Sequence, residues 1–156
     1  MENKTRITDI DSIIKDSLIH SQKLTLEQKH ELENIAGQLT APGRGILAAD
    51  ESSSTLGKRL VKEGLTNDIE TRRAYREVLF SNESLGEYLS GAILNIETLT
   101  QRHSNGSLFV DVLSKKRIVP GVKADTGLMP LERNGIISVE TMTMGLEDLL
   151  ERSVEY

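Results

Sequence analysis

Two acids and four hydroxyls follow an apolar run in Gly45-Ile46-Leu47-Ala48-Ala49-Asp50-Glu51-Ser52-Ser53-Ser54-Thr55. A buried strand that ends on a carboxylate presents a group able to move a proton. Hydroxyls at the start of the next helix lie among free backbone N–H groups and the positive end of the helix dipole, which suits an anion such as phosphate. Lys58 and Arg59 stand one turn further on and add positive charge. Lys123 and Asp125 follow a later short apolar run, and Glu97 and Thr98 follow one between. An isolated buried charge is costly unless paired. An Asp and a Lys raised from neighbouring strands would therefore pair, or jointly grip a polar ligand.

Each feature has a plainer reading. A Ser/Thr cluster at a helix start is also an ordinary N-cap. An acid after a strand also caps the next helix or completes a structural ion pair. Lys123 taken alone reads as a solvated charge, as does the basic run Lys115-Lys116-Arg117. Gly43-x-Gly45 precedes its strand, so it does not match a dinucleotide-binding fingerprint. His20, His30 and His103 are scattered and show no metal-ligand spacing. No metal and no cofactor is expected.

The elements that must position these groups are legible in the apolar pattern. Ile10, Ile13, Ile14 and Leu18 make a short amphipathic helix over 9–20. Thr25-Leu26-Glu27-Gln28 has the form of a capping box, and Leu32, Ile35, Ala36 and Leu39 make the stripe behind it. Pro42 and Gly43 end that helix. Residues 45–49, 91–96 and 117–123 are strand candidates. Residues 54–62, 67–80, 107–116 and 141–154 are helix candidates. The inner face of 67–80 is read as Ile69, Tyr75, Val78, Leu79 and Phe80. The last helix carries Met144, Leu146, Leu149, Leu150 and Val154. The turn-rich patches at 40–45, 64–68, 102–107 and 130–138 are read as loops. Strands alternating with helices predict parallel strands covered on both faces, with reactive groups at their carboxyl ends.

The bulk numbers fit. A length of 156 residues suits one domain. Aromatics are 3%, so aliphatic side chains must build the core. A net charge of −5 argues against a nucleic-acid-binding module. The absence of cysteine excludes a disulfide framework and a thiolate metal site. The N-terminal stretch, with Glu2, Asp9, Asp11 and Asp16, reads as neither a secretory leader nor a transit peptide. No run approaches the roughly 20 apolar residues that span a bilayer. A cytoplasmic location is expected, and the sequons at Asn3, Asn82 and Asn105 are expected to be chance.

Four ordered blocks narrow the reading: APGRGILAADESSSTLGKRL (41–60), ETRRAYREVLF (70–80), GAILNIETLTQ (91–101) and PGVKADTGLMPL (120–131). Together they closely resemble the class I fructose-bisphosphate aldolases. The resemblance runs from about residue 24 to the end. It implies an incomplete TIM (β/α)8 barrel: the first three parallel strands with their helices, behind N-terminal helices. Residues 1–23 are then an extension, and 24–156 the N-terminal part of the barrel.

The resemblance also implies roles. Asp50 matches the aspartate that handles protons at the substrate's C4 hydroxyl. Ser52, Thr55 and Lys123 match the group that binds the phosphate on C6, and Arg59 matches another phosphate contact. Lys58 and Asp125 match supporting residues beside the site. The implied reaction is reversible cleavage of fructose 1,6-bisphosphate to dihydroxyacetone phosphate and glyceraldehyde 3-phosphate, in glycolysis, through a Schiff base and without a metal. Asn95-Ile96 departs from an aromatic–His pair common in the family's second strand.

The lysine that forms the Schiff base sits, in that family, in a Glu-Gly-x-Leu-Leu-Lys-Pro-like segment. No such segment occurs in these residues, nor does an Ala-Lys-Trp-Arg block. A barrel takes about 250 residues. The chain alone is therefore expected to be inactive. The alternative is a non-catalytic phosphate binder, self-associating or attached to intact aldolase subunits.

Overall fold

The computed structural model describes residues 24–133 and 135–145. The helix expected over 9–20, and the extension to residue 23, lie outside them. The described chain opens with α1, Leu26–Leu39. Its start is the expected capping box: the Thr25 hydroxyl accepts from Gln28 N–H at 3.1 Å, and Gln28 Oε1 accepts from Thr25 N–H at 2.9 Å. Then come β1 (Gly45–Ala49), α2 (Ser53–Lys62), α3 (Ile69–Ser81) and α4 (Leu85–Tyr88). They are followed by β2 (Leu89–Leu94), α5 (Ile96–Thr100), α6 (Phe109–Lys115) and β3 (Val119–Val122). A hairpin follows, made of β4 (Gly127–Arg133) and β5 (Ile136–Met144).

β1, β2 and β3 form one parallel sheet in that order. Ala49, Leu94 and Val122 lie in register, as do Ala48, Ile93 and Gly121. Period-two alternation gives the sheet two unlike faces. One face sends Ala49, Ala92 and Leu94 into a core completed by Phe80, Phe109, Leu113 and Ile118. The Phe80 and Phe109 rings meet edge to face at 5.6 Å. The opposite face carries Ile46 and Ile93, which stay 51% and 37% exposed. This is the architecture of a partial α/β barrel.

Glycine is required where α4 meets the end of α6. A Cβ on Gly86, in α4, would lie 2.2 Å from the carbonyl oxygen of Lys116. Only hydrogen fits there.

Four expectations are corrected. Residues 130–138 are not a loop, because β4 and β5 pair antiparallel, with Met129 opposite Met142 and Leu128 opposite Thr143. The helix expected over 141–154 begins instead as strand through Met144, and residues 146–154 lie outside the described chain. The inner face of α3 is Arg72, Arg76 and Phe80, whereas Ile69 and Val78 are 65% and 80% exposed. Phe80 is buried and Leu79 packs against the core as expected, but an apolar stripe could not reveal the two arginines, because the groups α3 packs against include a carboxylate. The basic run at 115–117 also differs from a freely solvated end. Lys116 Nζ donates to the carbonyls of Phe80 and Asn82, each at 2.8 Å, and so caps α3.

Candidate functional site

β1 ends at Ala49, and the chain leaves the sheet through Asp50 and Glu51. Ser52 then starts α2. Its hydroxyl accepts from Thr55 N–H at 3.2 Å and lies 3.0 Å from both the Ser54 and Thr55 hydroxyls. The plain reading of this cluster as a helix cap is thus correct. It leaves room for the other, since the hydroxyls remain exposed beside the first turn of a ten-residue helix.

β3 brings the second half. Lys123 N–H continues the sheet by donating to Leu94 O at 2.8 Å. Two-residue alternation from Ala48, Ile93 and Gly121 puts Asp50, Asn95 and Lys123 on one face, just past the strand ends. Lys123 Nζ lies 2.7 Å from Asp125 Oδ2 and 3.6 Å from Asp50 Oδ2. Asp125 Oδ1 accepts from Gly127 N–H at 2.9 Å, which fixes the carboxylate at the foot of the β4–β5 hairpin.

These groups line an open pocket of about 540 Å³. Asp50, Ser52, Thr55, Lys123 and Asp125 all reach it. Glu51, the second acid after β1, lines it too, as do Asn95, Ile96, Thr126 and Gly127, to which sequence reasoning assigned no part. The remaining two residues are placed differently. Arg59 Nη1 pairs with Glu51 Oε1 at 2.5 Å, so it reaches the pocket through a lining residue. Lys58 is exposed on α2 and does not line the pocket.

The electrostatics follow from the contacts. The Asp125 hydrogen bond, with the charges of Asp125 and Asp50, raises the Lys123 ammonium above the usual lysine range and outweighs its partial burial. The same hydrogen bond holds the Asp125 carboxyl below the usual aspartate range. Lys123 is therefore a cation throughout the neutral range. A cation lining the same pocket as the Ser52 and Thr55 hydroxyls at a helix N-terminus can hold an anion. A carboxylate on the same face can exchange a proton with whatever that anion carries.

Next to the pocket-lining Asn95 and Ile96, Glu97 centres a cluster whose arginines the sequence did not announce. Glu97, in the first turn of α5, accepts from Arg72 Nε and Nη2 and from Arg76 Nη1, at distances from 2.5 to 3.1 Å. Gln101 donates to it as well. Burial pushes the Glu97 carboxyl up, but the two guanidiniums outweigh it and the net displacement is downward. Arg72 and Arg76 are 7% and 2% exposed. Twenty-five residues separate Arg72 from Glu97, so no local pattern joined them.

Comparison with known proteins gives a consistent answer. Residues 31–156 match the family model described as "Glycolytic: Fructose-bisphosphate aldolase class-I". The chain is 51% identical over 127 residues to fructose-bisphosphate aldolase 1, chloroplastic, of Chlamydomonas reinhardtii, covering 81% of this chain and 33% of that one. It is 46% identical over 134 residues to the fructose-bisphosphate aldolase of Schistosoma mansoni, covering 85% and 36%. Among solved structures it resembles fructose-bisphosphate aldolase from Plasmodium falciparum, crystallised with TRAP and a small-molecule inhibitor. There the TM-score is 0.78 and the identity 42%, over 86% of this chain and 38% of that one. The chain thus spans about a third of the length of the curated relatives it matches.

Proposed function

Since this chain belongs to the class I fructose-bisphosphate aldolase family, we propose that its pocket holds the phosphorylated end of a ketose bisphosphate during reversible aldol cleavage. Lys123 and the Ser52 and Thr55 hydroxyls bind the phosphate remote from the carbonyl. Arg59 joins them by exchanging its Glu51 partner for the phosphate. Asp50 takes the proton from the C4 hydroxyl as the C3–C4 bond breaks, and returns it in the condensation direction. Asp125 holds Lys123 in place, and Lys58 adds positive potential at the rim. The observation that carries this reading is the meeting of Lys123 with Asp50 in a pocket also lined by Ser52 and Thr55.

The covalent step belongs to residues beyond this set. A lysine amine attacks the ketone, water leaves, and the iminium accepts the electron pair of the broken bond. In the family that amine comes from a segment these residues do not contain. The substrate is fructose 1,6-bisphosphate or a related sugar phosphate, and the setting is cytoplasmic glycolysis. Residues 1–23 form an extension, and residues 24–156 the opening units of the barrel. Among the described residues, no helix is long and apolar enough to cross a membrane.

Titration of the chain with fructose 1,6-bisphosphate, followed by NMR, tests the reading. Shifts are expected at Asp50, Ser52, Thr55 and Lys123, and Lys123→Ala is expected to abolish them. Shifts centred elsewhere overturn the assignment. Borohydride reduction with substrate is expected to leave this chain unlabelled, and stoichiometric labelling would contradict the division of labour.

A second reading is favoured by one observation. Ile46 and Ile93 are exposed on the sheet face that also carries Asp50 and Lys123. In that reading the chain is a non-catalytic phosphate binder that associates through this face with itself or with intact aldolase subunits. Co-purification with a full-length aldolase, lost on Ile46→Asp, is its expected signature.

A further inference from the structure

The turn bearing Ser52–Thr55 is fastened at two backbone carbonyls. Asn95 Nδ2 donates to Glu51 O at 3.4 Å, and Asn67 Nδ2 donates to Ser53 O at 3.2 Å. The two asparagines come from different segments, the loop before α3 and the end of β2, yet both lead to one ion pair. Asn95 Oδ1 accepts from Glu97 N–H at 3.0 Å. Asn67 Oδ1 accepts from Arg72 Nη1 at 2.8 Å. Arg72 Nη2 and Glu97 Oε2 meet at 2.9 Å. The path Glu51–Asn95–Glu97–Arg72–Asn67–Ser53 is therefore a closed strap around the turn.

An independent feature points the same way. Gly57 sits inside α2, where glycine is less favourable than alanine. A Cβ at Gly57 would lie 2.1 Å from Asn67 Nδ2 and 2.4 Å from Asn67 Cγ. Gly57 is buried in the middle of an α-helix, so backbone freedom is not its use. Its use is to let Asn67 reach Ser53.

We propose that Asn67, Arg72, Glu97 and Asn95 are positioning residues, which hold the Asp50–Thr55 turn in the shape that receives the ligand, and that Gly57 is the gap through which Asn67 does so. None of the four needs to touch the ligand, although Asn95 lines the pocket. The strap acts on the turn's backbone and so fixes the spacing of hydroxyls, N–H groups and the Asp50 carboxylate together. Only the binding part of the test rests on reading this turn as a phosphate cradle.

The test uses the 156-residue chain and the variants Asn67→Ala and Gly57→Ala. Amide hydrogen exchange is followed at Thr55 and Leu56, whose N–H groups bond to Ser52. Both variants are expected to speed exchange there by about threefold or more, while amides of β2 and α6 hold their wild-type rates. Gly57→Ala is the sharper case, because alanine is the better helix former. If it slows exchange at Thr55 and Leu56, or if Asn67→Ala leaves them unchanged, the strap has no such role. Inorganic phosphate is then titrated into each protein. Both variants are expected to bind it about tenfold more weakly than wild type, and equal affinity overturns the proposal. If wild type itself binds no phosphate, the cradle reading fails, and the exchange rates still decide the strap.

Discussion

Lys123 and Asp50 come within 3.6 Å although a whole strand, β2, lies between the two that carry them. Neighbouring strands are about 4.8 Å apart, so the two backbones are separated by roughly twice that. Only a long side chain closes the gap, and lysine has the length. The contact ties the first and third units of the sheet together over the end of the second. Replacing Lys123 with methionine keeps the reach and removes the charge. Phosphate binding is expected to fall by roughly 10- to 150-fold, as for loss of a hydrogen bond to a charged group worth about 1.5–3 kcal/mol. Isothermal titration with inorganic phosphate measures it. Lys123→Arg is expected to retain part of the affinity, since only the geometry changes.

The acid limb of stability is expected to depend on Glu77. Its carboxylate accepts from Arg73, the Ser104 hydroxyl and the Ser104 N–H, which hold its pKa at about 2 against an ordinary value of 4.5. A carboxyl depressed on folding contributes stability that is complete above its unfolded pKa and is lost as pH falls through the folded one. The window is therefore from pH 4.5 down to about 2. Melting temperatures of wild type are expected to decline across it. Glu77→Gln is expected to be less stable at pH 6 and to show a flatter decline. A wild-type curve and a variant curve running parallel through that window would contradict the assignment.

How much of this was legible in the sequence depended on the range of the interaction. Thr25 and Gln28 announce α1 because a capping box is complete within four residues. β1 and α2 were readable because Ala49, Leu56 and Leu60 are buried by simple apolar pattern. Asp50, Ser52, Thr55, Lys123 and Asp125 stood out as candidates because polar groups gather after strands and at helix starts, and the family resemblance, not their spacing, supplied the roles proposed for them. The hairpin was missed although its signals were present. Asn134-Gly135 is a turn dipeptide, Gly135 has φ +78°, and Val139, Thr141 and Thr143 alternate with polar or methionine side chains. Met144 and the leucines beyond it drew the reading toward a helix. The α3 face was misread for a different reason. Arg72 and Arg76 are buried by a carboxylate that lies on another element, and no periodicity of α3 itself contains that information.

Gly86→Ala is expected to destabilise the fold by about 1–3 kcal/mol, the usual cost of forcing a group into a filled space. The methyl would meet the Lys116 carbonyl, a backbone atom that cannot rotate away. That carbonyl belongs to the residue whose ammonium caps α3, so the displacement is expected to reach the Phe80 and Asn82 carbonyls. Gly37→Ala is the control: nothing lies within 4 Å of its Cβ, and it sits in α1. Alanine there is expected to be neutral or stabilising by up to about 1 kcal/mol. Urea unfolding of both variants measures the contrast.

Two ion pairs of equal length are expected to differ in energy. Arg76 meets Glu97 at 2.5 Å, and Arg59 meets Glu51 at 2.5 Å. The Arg76 side chain is 2% exposed and the Arg59 side chain 59%. Water screens the second pair and leaves each partner solvated when the other is removed, so Arg59→Ala is expected to cost less than about 1 kcal/mol. Arg76→Ala leaves Glu97 with a single guanidinium and Gln101 Oε1 without its arginine donor, in a place water reaches poorly. Its expected cost is about 3 kcal/mol, the lower end of the range for breaking a buried pair, because Glu97 keeps 21% of its exposure. Arg76→Met, which fills the volume without a charge, is expected to cost as much, since the loss lies in Glu97 and not in a cavity. If Arg76→Met were instead neutral, the cluster would be held by packing, and the downward displacement of the Glu97 carboxyl would have to come from Arg72 alone.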